Sequence, residues 1–330
     1  MNRMYQDRRG LAGTLVLGGL LFLIPTVLVD QPYLLHISIL ICIYAIPAVG
    51  LNLMLGYTGL VSLGHMAFAG IGAYVAAILM VDAGWSFWFA MPVAVVSAGV
   101  AGALIGIPAL RLRSHHFIIV TLAFGMILFL VMNNWDEVTR GAEGFPGVPR
   151  PDPLPFGGPD GINFLTLENF YYLSLAFTVA VFVLQWALVR SDFGRSLEAI
   201  KQDETLASFK GVNTMAYKVA VFAIGSGVAG LGGVLKVSFL RVAAPLSFEL
   251  LESINIVLIV VVGGAGFLAG PLLGAIIFVG LPEYLRIAKE LRLVIFGAVL
   301  LIITLFAPKG LAGMPVMLRT RLQRWRNAAV

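Results

Sequence analysis

The chain has 330 residues, of which 59% are apolar and only 12% charged, with a formal net charge of +5. Soluble domains carry about 25% charged residues, so a water-facing fold of this length cannot hide this much apolar surface, and lipid must be its main solvent. The cations fall between apolar runs and not in an arginine–aromatic patch, which argues against a nucleic-acid partner and reads as a topology signal.

In chain order, Arg3, Arg8 and Arg9 precede an apolar run over 11–29. The run is long for a signal peptide, and no small-x-small cleavage site follows it, so it is expected to be a retained first span. Further runs of about 20 apolar residues occupy 34–55, 66–81, 88–110, 117–132, 169–189, 219–236, 252–267, 271–288 and 291–307. The runs 66–81 and 252–267 are short and suit tilted, partial or re-entrant segments. The expectation is one all-α, polytopic transmembrane domain over 1–330 with eight to ten spans. Cys42 lies inside a run and is the only cysteine, so it reads as packing and excludes an internal disulfide.

With the N-terminus inside and the spans alternating, Arg140, Arg150, Lys236, Arg241, Arg286, Lys289 and Arg292 fall outside. The remaining fifteen of the 22 cations fall inside, as a cytoplasmic N-terminus requires. Both termini, including the basic tail over 308–330, are then cytoplasmic. Arg286, Lys289 and Arg292 are the group that fits this arrangement least well.

Two polar stretches interrupt the pattern. The first, about 133–167, is rich in proline and glycine, and its acids (Asp136, Glu137, Glu143, Asp152, Asp160) outnumber Arg140 and Arg150. It is placed outside, as an inert connector or as a docking surface. The second, about 190–218, is placed inside. There Phe193, Leu197, Ile200, Glu204 and Ala207 share one side at helical spacing. Ser191 or Asp192 suits an N-cap and Gly211 a C′ cap. A short amphipathic helix in this place either lies on membrane lipid or docks on a soluble partner.

Within the spans, Gly102-x-x-x-Gly106 and Gly266-x-x-x-Gly270-x-x-x-Gly274 form small-residue ridges. Gly56 to Gly72 combines five glycines with Tyr57, Thr58, Ser62 and His65 and follows Asn52. Polar groups at membrane depth need partners or water, so this stretch is expected to be a broken helix, with Asn52, Tyr57, Thr58, Ser62 and His65 as candidates to line a solute path and packing as the alternative for His65. Gly263-Gly264-Ala265-Gly266 with Pro271 is a candidate second break. No phosphate-binding G-x-x-x-x-G-K-[ST] loop occurs, so nucleotide hydrolysis by that device belongs to a partner. Nearly every acid falls in a loop or at a span edge, Glu283 being the exception, which disfavours an ion-coupled carrier. No metal-ligand spacing and no nucleophile motif is found. Neither a metal, nor a cofactor, nor an intramembrane enzyme is expected.

Four stretches carry a resemblance: Gly50-Leu51-Asn52-Leu53-Met54-Leu55-Gly56-Tyr57-Thr58-Gly59 through Gly64-His65, His116 to Gly125, Gly194-Arg195-Ser196-Leu197-Glu198-Ala199-Ile200 through Gly211-Val212-Asn213, and Phe306-Ala307-Pro308-Lys309-Gly310-Leu311. Together, over about 34–312, they resemble the permease subunits of branched-chain amino-acid ABC importers, and in length and order the LivM-type member of the pair. Met66 stands where that family usually has a small residue. The resemblance implies a sister permease, two ATP-binding subunits, a periplasmic solute-binding protein and a location in the bacterial inner membrane. It assigns the ATPase-coupling role to Gly194, Arg195, Leu197, Glu198, Ala199, Ile200, Asp203, Glu204 and Gly211. It implies leucine, isoleucine and valine as solutes, with urea or short amides as the alternative.

Overall fold

A computed structural model describes residues 31–112, 114–155 and 162–284, together with 297, 298, 301, 305, 307 and 310–314. The expected first span, Glu283's side chain, the Arg286–Arg292 cations and most of the last span and basic tail lie outside the described residues. Apart from the four-residue helices Asp136–Thr139 and Leu281–Tyr284, the described α-helices in chain order are α1 Pro32–Thr58, α2 His65–Ala77 continued by a π-turn Ile78–Asp82, α3 Phe87–Ala109, α4 Ser114–Asn134, α5 Leu167–Arg190, α6 Asp192–Gln202, α7 Glu204–Phe209, α8 Thr214–Leu240, α9 Leu250–Gly263, and α10 Gly270–Ala275 continued by a π-turn Ile276–Gly280. Among the described residues, seven segments are long and apolar enough to cross a bilayer: α1 to α5, α8, and α9 with the 3₁₀ turn Pro245–Phe248 ahead of it. That is an all-α, multi-pass bundle, with seven spans against an expectation of eight to ten for the whole chain.

Most starts are written in the local sequence. Ser86, Thr166, Asp203 and Asn213 cap α3, α5, α7 and α8, each accepting from a backbone N–H two or three residues on, as short polar side chains do at N-caps. The run 66–81 proves to be a full span, because helix continues through the π-turn to Asp82. The run 252–267 belongs to a full-length span displaced toward the N-terminus, Pro245–Gly263, since α9 stops at Gly263 and Gly264 turns out of the helix with φ +116°.

α8 sits at the centre against α1, α2 and α3. Its glycines bring backbones together: a Cβ on Gly50 of α1 would lie 2.5 Å from the Gly225 carbonyl oxygen, and one on Gly72 of α2 equally close to Gly230. The Gly102/Gly106 ridge of α3 packs on Ser226 and Phe222 of α8 as expected. The Gly266/Gly270/Gly274 run is no ridge, because Gly266 lies in the connector 264–269, outside any helix. Phe89, Val96 and Leu104 on the far side of α3 are 72%, 63% and 65% exposed, an all-apolar face suited to lipid.

Because each span crosses once, the connectors sort to two ends. Lys201 and Gly266 both meet the C-terminal end of α1, which places the connectors 59–64, 191–213 and 264–269 at one end. At the other, Arg140 pairs with Asp82 at 2.6 Å. Phe145–Pro146 (β1) pairs antiparallel with Val242–Ala243 (β2), and Asp152 accepts from Ser86 Oγ and the Phe87 N–H. The proline-rich stretch is therefore a folded cap with Phe145, Val148 and Phe164 buried, tied to both neighbouring connectors.

Candidate functional site

The α6–α7 segment is two helices and not one. Asp203 leaves the helical conformation (φ −158°, ψ 106°) and its carboxylate caps α7 at the Leu206 N–H, 2.9 Å away. Gly211, at φ +87°, ends α7. Its N–H bonds the Ser208 carbonyl and that of Val212 bonds the Ala207 carbonyl, the paired closure that favours glycine at C′. At the start Ser191 holds the cap position, but its hydroxyl bonds back to the Leu188 carbonyl.

Leu197 is fully buried and Ile200 nearly so. Leu197 fills a socket formed by Leu53 and Tyr57 of α1, Val221 and Tyr217 of α8, and Leu188 and Val189 of α5. Burying such a side chain contributes about 1.5–3 kcal/mol. Gly194 allows α6 to approach, since a Cβ there would lie 2.2 Å from the Val189 carbonyl oxygen. Lys201 Nζ donates to the Gly56 carbonyl oxygen at 2.6 Å, and Glu204 pairs with the buried Lys218 at 2.5 Å. The expected coupling residues thus divide. Gly194, Leu197, Ile200, Asp203, Glu204 and Gly211 seat and cap the segment within its own chain, with Leu197 and Ile200 turned inward. Arg195, ion-paired with Asp192, and Ala199 are exposed, and Glu198 is partly so. Sequence reasoning missed Leu206 and Phe209, one turn apart on α7 and 51% and 84% exposed. Their polar surroundings concealed them.

The five path candidates gather at the same end. Asn52, fully buried, donates to the Phe267 carbonyl at 3.1 Å and accepts from the Gly266 N–H at 2.8 Å. It clamps the 264–269 connector to α1, beside the close approach of Gly56 and Gly266. Thr58 bonds back to the Met54 carbonyl, and Tyr57 borders the Leu197 socket. His65 Nε2 lies 3.0 Å from the Pro47 carbonyl oxygen. Ser62 Oγ and His65 Nδ1 are buried with no hydrogen-bond partner among the described residues. The stretch Gly56–Gly72 is the junction of two spans, not a break within one.

A second polar group was not foreseen. Lys236, expected as the outer end of the run 219–236, lies inside α8, which runs on to Leu240. Its Nζ donates to Tyr44 Oη and to the Ser247 carbonyl, both at 3.0 Å. It stands 3.7 Å from Glu252 Oε2 and lies over the Tyr44 and Phe248 rings. Tyr44 Oη donates to the same carboxylate oxygen at 3.0 Å. Apolar Val237, Phe239 and Leu240 beyond the lysine were the available signal that the span continues.

A family model described as the branched-chain amino acid transport system / permease component matches residues 33–304. The chain belongs to that permease family. Among its relatives, the high-affinity branched-chain amino acid transport system permease protein LivM of Escherichia coli (strain K12) is 34% identical over 296 residues, covering 84% of this chain and 69% of that protein. LivM of Salmonella typhimurium is 32% identical with the same coverage. The permease protein LivH of Escherichia coli (strain K12) is 29% identical over 303 residues, covering 82% of this chain and 92% of that one. No solved structure matches the chain. Family permeases are transport proteins, and this bundle of apolar helices is a multi-pass membrane protein of that kind.

Proposed function

We propose that the chain is the LivM-type permease subunit of an ATP-driven importer of the bacterial inner membrane, forming the path for leucine, isoleucine and valine with a LivH-type sister permease. Two ATP-binding subunits and a periplasmic binding protein complete the assembly. The observation that carries this reading is the family match over 33–304, joined to a segment shaped for a soluble partner. Both termini and the α6–α7 end are cytoplasmic in this reading, and the β1–β2 cap faces the binding protein.

Leu206 and Phe209 are the contact with the ATP-binding subunit. Two large apolar side chains this exposed on a polar connector need a cover, and an apolar pair one helical turn apart is how a helix enters a groove. Asp203, Gly211 and the Glu204–Lys218 pair hold α7 at a fixed angle. Leu197 and Lys201 pass its displacement to α1 as a rigid-body movement. Asn52, Tyr57, Thr58, Ser62 and His65 close the cytoplasmic end of the path, and the free polar atoms of Ser62 and His65 are satisfied when water and solute enter.

The test is Leu206→Asp/Phe209→Asp in the complete complex reconstituted in vesicles. Uptake of labelled leucine falls by tenfold or more and ATP turnover no longer rises with loaded binding protein, while the bundle keeps its thermal stability. Normal coupled uptake by this variant refutes the docking role.

A further inference from the structure

We propose that Glu252 and Asn255, on the exposed side of α9, form the recognition site for the zwitterionic head of the solute, with Lys236 and Tyr44 as positioning residues behind them. This assignment rests on the importer reading and deepens it.

Asn255 falls in the middle of the span Pro245–Gly263 and is exposed. Among the described residues it is the one exposed polar side chain away from the ends of a span, and it makes no hydrogen bond there. The comparable face of α3 is entirely apolar. An amide facing hydrocarbon leaves four hydrogen-bonding positions unmet, so its natural surroundings are an aqueous path and what moves through it.

Glu252 precedes it by three residues, so the two side chains are neighbours on one face, their Cβ atoms about 5–6 Å apart. The Glu252 side chain is 24% exposed. Only Oε2 is engaged, by Tyr44 and Lys236; Oε1 has no partner among the described residues. Its ammonium neighbour is almost fully buried and held by two oxygens and two rings. Lys236 therefore compensates the carboxylate from behind and leaves its outer oxygen free.

That arrangement offers an anionic acceptor beside an amide donor. An α-amino acid presents a cationic donor beside an anionic acceptor. Glu252 takes the ammonium group, and the Asn255 NH₂ donates to the carboxylate. Leu251, 63% exposed, and the partly exposed Leu258 lie four residues before and three after Asn255, on the same face. They provide an apolar surface for a hydrocarbon side chain. Neither a cation alone nor an anion alone satisfies both groups.

The experiment measures binding of radiolabelled L-leucine to the purified permease pair with its ATP-binding subunits, without the binding protein. Leucinamide and 4-methylpentanoate, each lacking one half of the zwitterion, serve as competitors. Wild type binds leucine and is competed weakly by either analogue. Glu252→Gln weakens binding by roughly 10- to 100-fold, and Asn255→Ala by about tenfold, as expected for lost charge-assisted hydrogen bonds. Glu249→Gln, which removes a carboxylate three residues away, leaves binding unchanged. Asn255 is exposed, so its variant keeps the test valid should Glu252→Gln fail to fold. Unaltered leucine binding by Asn255→Ala overturns the site, including where that variant instead loses its sister permease and so reveals a packing face. A wild-type complex that imports leucine with its binding protein yet binds none without it also overturns the site. Failure of the wild type to import leucine at all refutes the importer reading itself.

Discussion

At the α6 end the connectors are joined chiefly by an apolar knob and by bonds to backbone, with one ion pair, Glu204–Lys218, beside them: Leu197 in its socket, Lys201 on the Gly56 carbonyl, and Asn52 on the 264–269 connector. At the opposite end, besides the β1–β2 pairing, the side-chain ties between connectors involve charges: Arg140 with Asp82, Asp152 on the Ser86 turn, and Lys236 with Glu252 and Tyr44. A close-packed knob is stiff and transmits displacement. A desolvated ion pair holds only while both partners remain and creates a place where charge can be recognised. In the proposed reading the two ends have different tasks, one to be moved and the other to hold charge.

The largest effect that sharpens this contrast is expected at the charged end. Lys236→Met strands the Glu252 carboxylate beside a buried methionine and destabilises the bundle by about 3–5 kcal/mol. Lys236→Met/Glu252→Leu removes both charges and recovers most of that loss. Thermal unfolding in detergent measures both variants, and equal losses in the two break the comparison. A smaller effect is expected at the other end. Asp203→Ala removes the α7 cap and costs about 1 kcal/mol. In the reconstituted complex it lowers the ratio of solute imported to ATP hydrolysed without abolishing uptake. A ratio equal to wild type would show that the orientation of α7 is immaterial.

The bundle was legible in the sequence because apolar runs of span length are a strong signal: α1, α3, α4, α5 and α8 coincide with their expected runs to within a few residues. Failures came where a residue does two jobs. Lys236 looked like the end of a span because a lysine normally is, and nothing local shows that Tyr44 and Glu252, 192 and 16 residues away, supply its partners. Asp203 sat within a helical pattern, but its competition for a backbone N–H splits that helix in two. The face through Leu197 and Ile200 was legible as apolar, but its packing on α1, α5 and α8 was not, since periodicity reports that a face is covered and not by what. Phe209 belonged to no periodic stripe, so only its exposure in the folded chain draws attention to it.

The central claim is that α7, and not the buried face of α6, meets the motor subunit. Cysteine cross-linking tests it most directly, because the only native thiol, Cys42, is buried. Phe209→Cys and Leu197→Cys would each be treated with a short bifunctional reagent in membranes holding the complete complex. The structure predicts a cross-link from position 209 to the ATP-binding subunit that changes in yield with nucleotide, and none from position 197. A cross-link from 197, or none from 209 in an assembled complex, would contradict it.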